Sequence, residues 1–188
     1  MIQQVTDRAR FLLAFLAHPR QVGAVLPTSR TAVRDMLDLA DLPSASFVVE
    51  LGAGTGVQTG EILARLKPGA RLIAVEIDGR LANLLEQRYP DPRLQVVRDS
   101  AEHLASYLDG AKADVVVSAL PYTSLEPGLR RRILDVLPQT LAAGGVALVI
   151  QYSPLMEKEL RARFAKVTRR MSFWNVPPAF LFACSAGD

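Results

Sequence analysis

Apolar residues recur along this chain in two rhythms. Up to about residue 44 the spacing is helical. Val5, Leu12, Phe15 and Leu16 fall on one face of a predicted helix over 5–17, with Asp7, Arg8 and Arg10 nearer the other. A loop with His18-Pro19 and residues 23–27 follows, and a second helix is predicted from Ser29, a suitable N-cap, carrying Val33, Met36, Leu37 and Leu39. From about residue 45 short unbroken apolar runs alternate with amphipathic stretches. The runs at 46–51, 71–77, 94–97, 113–120 and 146–151 read as strands, and the stretches at 58–66, 80–88, 102–108 and 127–141 as helices. Pro68-Gly69, Pro90-Asp91-Pro92 and Gly144-Gly145 punctuate them. After a helix over 155–164, alternating segments at 167–173 and 179–184 predict a closing hairpin.

Strands written as continuous Val/Ile/Leu runs are buried on both faces, the mark of a parallel sheet covered by helices. The expected fold is therefore α/β and Rossmann-like. A length of 188 residues fits one domain: a helical segment over 1–44, expected to act as a lid or membrane contact, and a ligand-binding core over 45–188. Right-handed crossovers place ligands at the carboxyl ends of the strands.

Composition changes this picture little. The chain is 49% hydrophobic and 22% charged with a net charge of +3, which excludes disorder and gives a mild basic bias. The single cysteine, Cys184, excludes an internal disulfide and reads as a buried strand residue in a reducing compartment. No Cys/His cluster has zinc-like spacing, so no metal is expected. The N-terminus lacks the features of a signal peptide, and the apolar run over 11–17 is too short to span a bilayer. A cytoplasmic location is expected.

The chemistry concentrates at the first strand and the turn after it, Val48-Val49-Glu50-Leu51-Gly52-Ala53-Gly54-Thr55-Gly56. Glycines between a strand and a helix let the backbone turn tightly and approach a ligand. A dinucleotide fingerprint would put its third glycine at Val57, whereas here it is Gly56. Glu50 would repel a pyrophosphate but suits a ligand bearing an ammonium and a sulfonium, as S-adenosylmethionine (SAM) does. Glu76 ends the second strand 24 positions after Gly52, where an acid accepts from ribose hydroxyls. Asp99 ends the third, placed to accept from an adenine amino group or to cap the following helix. Asp78 is assigned no role. Ala53, Ile77, Ser100 and Ser118 complete the expected cofactor wall.

In combination these motifs resemble the class I SAM-dependent methyltransferases, from about residue 48 to 151. The resemblance implies a seven-stranded, mostly parallel sheet with the last strand antiparallel. It also implies that Glu50 lies near the methionine moiety, Glu76 binds the ribose and Asp99 the adenine. The fourth strand ends Ser118-Ala119-Leu120-Pro121-Tyr122. The rRNA adenine dimethylases carry Asn-Leu-Pro-Tyr there, so Ala119 replaces the amide that grips the adenine amine. Those enzymes also have a helical C-terminal domain, for which no residues follow the hairpin. Both departures disfavour a nucleic-acid substrate.

Three stretches instead resemble the bacterial phospholipid N-methyltransferases, which act on phosphatidylethanolamine. They are Val22-Gly23-Ala24-Val25-Leu26-Pro27-Thr28-Ser29, Ser118-Ala119-Leu120-Pro121 and Asn175-Val176-Pro177-Pro178-Ala179. The first helix and its basic loop would then lie on an anionic membrane, as a peripheral contact at the inner face, or fold over the sheet as a lid. Leu120, Pro121, Tyr122, Tyr152 and Trp174 are the expected acceptor-binding residues, the three aromatics offering a cation–π site. Tyr122 is the expected catalytic contact to the amine. His103 is expected on a helix surface, and His18 is the other histidine. The runs Arg130-Arg131-Arg132 and Arg169-Arg170 read as lipid-phosphate contacts or solvated faces. The competing functions are methylation of RNA adenine or of a small molecule, and a SAM-binding module without catalysis.

Overall fold

A computed structural model describes residues 29–173 and 177–187. The predicted helix over 5–17, His18, Trp174, residues 22–28 of the first motif and Asn175-Val176 of the last lie outside the described residues. Seven strands form one sheet: β1 (Phe47–Leu51), β2 (Arg71–Val75), β3 (Leu94–Val97), β4 (Ala113–Ser118), β5 (Leu141–Gln151), β6 (Lys166–Ser172) and β7 (Ala179–Ser185). Their order is β3-β2-β1-β4-β5-β7-β6. Neighbours among β1 to β5 pair in parallel, and β7 runs antiparallel to both β5 and β6.

Alternate residues of the buried strands feed two cores. Val49, Leu51, Val116, Val149 and Phe182 face one side. Val48, Val115, Val117, Leu148 and Leu181 face the other. Helices α1 (Arg30–Leu37) and α2 (Val57–Leu63) supply Met36 and Ile62 to the second core. Helix α5 (Pro127–Thr140) supplies Ile133, Leu134 and Leu137 to the first. Between them in sequence lie α3 (Gly79–Arg88) and α4 (Leu104–Tyr107), and α6 (Glu157–Arg161) follows β5. Cys184 is wholly buried in β7, and burial pushes its thiol up to about 12.

The differences from expectation have local causes. Gly144-Gly145 lies inside a strand and does not stop the helix. The helix ends at Thr140 and β5 begins at once, pairing Leu141 with Ala113 and Val146 with Val115. The extra residues form a bulge with Gly144 at φ +73°. A side chain at Gly145 would meet Ala142 O at 2.9 Å and Ala113 O at 3.0 Å, so only glycine fits. The helices expected over 102–108 and 155–164 each open with a 3₁₀ turn, at Ala101–His103 and Pro154–Met156. Asp78 caps α3, accepting from Arg80 N at 2.7 Å.

Of the 1–44 segment, the described part is built into the core. Ser29 caps α1 by accepting from Ala32 N, and Ala32, Val33, Met36 and Leu37 are buried. A carboxylate fixes the exposed side of that helix. Glu61 of α2 takes two hydrogen bonds from Arg34, at 3.0 and 2.9 Å, and one from Arg65 at 2.8 Å.

These arginines hold the Glu61 carboxyl down at about 2. Between that value and the ordinary carboxylate range the unfolded chain binds the extra proton, so this contribution is present above that range and is lost as pH falls towards 2. Glu61→Gln should flatten the acid limb of a stability–pH curve and lower stability at neutral pH. Chemical denaturation at a series of pH values checks both, and an unchanged acid slope would discount the cluster.

Candidate functional site

The turn after β1 gives each glycine a different task. Gly52, Gly54 and Gly56 all have positive φ, at 76°, 57° and 85°. A side chain at Gly52 would strike Leu120 at 2.8 Å, and one at Gly56 would strike Leu85 and Tyr89 at 2.7 Å. At Gly54 the nearest atom is Gly52 O at 4.0 Å, so this position leaves room beside the backbone for a ligand. The turn is fastened to the end of β2. Gly52 N donates to Val75 O at 2.9 Å, and Glu76 accepts from Gly54 N at 2.7 Å and from Asp78 N at 2.8 Å. Burial raises the Glu76 carboxyl above its ordinary value, opposed by these two backbone donors.

Glu50 lies wholly buried beneath the turn. Its Oε2 accepts from Thr59 Oγ1 at 2.7 Å, and its Oε1 has no partner. Burial pushes this carboxyl up to about 7; the Thr59 bond opposes the shift and the charge of Glu76 adds to it. A buried acid with an unused oxygen, beside a loop that admits close approach, fits a cationic ligand. That is the chemistry required by the methionine end of SAM, so the residues present fit the cofactor.

Successive strand ends and α5 enclose a cleft. Gly52, Glu76 and Ile77 form one wall, and Asp99, Ser100 and Ala101 a second. Ala119, Leu120 and Pro121 form a third, closed by Leu125, Leu129 and Ile133 around α5. Of the expected cofactor and acceptor residues, Gly52, Glu76, Ile77, Asp99, Ser100, Leu120 and Pro121 meet there. Asp99 is not the helix cap; Ser100 is, while Asp99 Oδ1 accepts from Ser100 N at 2.6 Å and lies 3.0 Å from His103 Nδ1. Ala53, Gly54 and Gly56 build the turn without lining the cleft.

Other expected residues are placed differently. Tyr122 is wholly buried, with its hydroxyl 2.9 Å from Ser118 Oγ, and burial drives its phenol far above the ordinary value. The ring packs in the core on one side of the sheet, while Tyr152 packs against the core on the other. The two do not form an aromatic cage, and the expected contact from Tyr122 to an amine is corrected accordingly. Ser118 is also buried, its hydroxyl turned to Tyr122 and away from the cleft. The arginine runs are largely engaged in ion pairs: Arg130 with Glu159, Arg132 with Glu102 and Arg169 with Glu157. Gln151, which its sequence context does not flag, donates from Nε2 to Leu120 O at 2.8 Å and to Ile150 O at 2.5 Å, holding the segment after β4.

Residues 21–172 match the family of ribosomal RNA adenine dimethylases. The chain is 34% identical over 183 residues to the ornithine lipid N-methyltransferase of Singulisphaera acidiphila, covering 93% of each. It is 34% identical over 140 residues to ribosomal RNA small subunit methyltransferase A of Opitutus terrae, covering 70% of this chain but 50% of that protein. Its fold is similar to that of the N-methyltransferase NodS of Bradyrhizobium japonicum in complex with S-adenosyl-L-homocysteine (TM-score 0.73, 17% identity, 94% and 97% covered).

Two expectations follow for SAM binding. Glu76→Ala should weaken it by about 1.5–3 kcal/mol per charge-assisted bond lost. Glu76→Gln should also weaken it, because an amide cannot accept from both Gly54 N and Asp78 N. Calorimetry showing parental affinity in both variants would remove Glu76 from the site. For Glu50, a cation favours the ionised form, which in the free protein predominates only above about 7. SAM affinity should therefore rise with pH, by up to about tenfold per unit, and level off above that value. Glu50→Gln should abolish the rise, and a rise retained in that variant assigns the titration elsewhere.

Proposed function

The chain belongs to the ribosomal RNA adenine dimethylase family of SAM-dependent methyltransferases, and from that premise we propose that it methylates the amine of a membrane-lipid head group. The observation that carries this reading is Ala119. It stands in the cleft wall at the end of β4, where the chain offers a methyl group in place of an amide. Leu120, Pro121, Leu125 and Leu129 continue the apolar surface around it. Such a wall has no hydrogen-bonding edge for a nucleobase, whereas it tolerates an aliphatic head group whose amine needs only placement. Similarity to an ornithine lipid N-methyltransferase over nearly the whole chain supports a lipid amine. Phosphatidylethanolamine is the acceptor that the motifs around Ser29, Ser118 and Pro177 suggest.

SAM, when bound, supplies a methyl carbon whose bond to sulfur breaks, the electron pair passing to sulfur as the lone pair of an amine nitrogen forms the new bond. The chain's part is placement. Glu50 holds the cationic end, the Gly54 backbone admits the ligand, and the apolar wall keeps water from the methyl group. The acceptor amine must arrive neutral, and the proton it then loses passes to solvent, so no strong base is needed. Among the described residues no helix is long and apolar enough to cross a membrane.

The test is methyl transfer from labelled SAM to vesicles containing phosphatidylethanolamine and anionic lipid, beside ornithine lipid vesicles and unmodified ribosomal RNA. Label in vesicle lipid, falling with salt as surface charge is screened, is the expected result. Replacing Phe11 and Phe15 by Ser should reduce vesicle flotation more than SAM binding if residues 5–17 dock on lipid. Label in RNA alone reassigns the acceptor, and SAM binding with no transfer to anything makes the chain a binding module.

A further inference from the structure

We propose that Tyr89, outside the cleft, is a positioning residue that sets cofactor affinity by bracing the glycine turn from behind. Tyr89 follows the last residue of α3, and its hydroxyl donates to Gly56 O at 2.8 Å. Its neighbour Arg88 donates from Nη1 to Thr55 O at 3.0 Å, with the guanidinium stacked 5.4 Å over the Tyr89 ring. Two successive carbonyls of the turn are thus held by side chains that do not line the cleft. A fixed carbonyl fixes its peptide plane, and so the direction of the next N–H.

The absence of side chains at two positions makes room for this ring. A Cβ at Gly56 would lie 2.7 Å from Tyr89 Cε2, and one at Gly60, inside α2, 2.6 Å from the Tyr89 hydroxyl. A glycine within a helix needs a local reason, and at Gly60 the reason is Tyr89. The third glycine of the turn therefore serves the brace, and the middle one serves the ligand. The brace also closes a frame. The start of α3, at Asp78, is bonded to Glu76, Glu76 is bonded to Gly54, and the end of α3 holds Thr55 and Gly56. One helix keeps the two halves of the cofactor site at a fixed separation.

The proposal concerns SAM alone and stands whichever acceptor is methylated. Tyr89→Phe removes one hydroxyl and keeps the ring. The dissociation constants for SAM and S-adenosylhomocysteine should rise about fivefold, measured by calorimetry well below the melting temperature. In turnover, KM for SAM should rise while kcat and the KM for the acceptor stay at parental values. Gly60→Ala should weaken binding in the parent but by less in the Tyr89→Phe background, where the clashing oxygen is gone. A melting temperature that falls while both dissociation constants stay within about twofold would mean that Tyr89 only supports the fold, and the proposal fails. Should Tyr89→Phe not fold, Arg88→Gln, which cuts the bond to Thr55 O and leaves the ring, is judged by the same criteria.

Discussion

A sheet buried on both faces leaves its polar chemistry one place to go. Val, Ile and Leu fill both sides of β1, β2, β4 and β5, so side chains that must meet a ligand collect where the strands stop. Glu50 is the exception that shows the rule. It lies within β1, one residue before its end, takes one hydrogen bond from Thr59, and keeps an oxygen unsatisfied at the cost of a strongly shifted titration. An acid placed there is stable enough to fold around and poised to favour a cation.

The glycine turn shows how such a site is held without large side chains of its own. Its shape is set by what surrounds it: Leu120 beneath Gly52, the Glu76 carboxylate on Gly54 N, and Tyr89 behind Gly56. Glu76 and Tyr89 flank the two ends of α3, and Leu120 comes from the segment after β4. The shape of the turn is therefore a property of three strand–helix units docked together, its own and those that carry α3 and Leu120. Gln151 ties that segment to β5 through the Leu120 carbonyl.

Much of this was legible in the sequence because it is local. Unbroken apolar runs mark strands buried on both faces, and the order of runs and breakers gives the alternation that builds a parallel sheet. The glycine spacing and the acids at 50, 76 and 99 stand at strand ends for the same reason. Less legible was anything decided by which single partner a side chain or turn meets, near or far in the chain. Gly144-Gly145 resembles a helix stop until Ala113 is seen against it. Tyr122 resembles a substrate contact until its hydroxyl is found on Ser118, turned inward. The partnerships of Asp99 with His103, of Gln151 with Leu120 and of Tyr89 with Gly56 carry no periodic or compositional signal. Each is a single contact between residues whose types alone fit many other roles.

The place of β7 has a consequence for how the molecule is made. Among the described residues β6 pairs only with β7, yet it is made first. Until residues 179–185 emerge, β6 has no backbone partner and β5 remains an open edge lined by Leu148, Val149 and Ile150. The first five strands can assemble during synthesis from neighbours already present, but β7 must insert between β5 and a waiting β6. The nascent chain thus exposes an adhesive strand edge until β7 is made. The interval during which it is vulnerable to other chains is set by how quickly residues 179–185 are delivered.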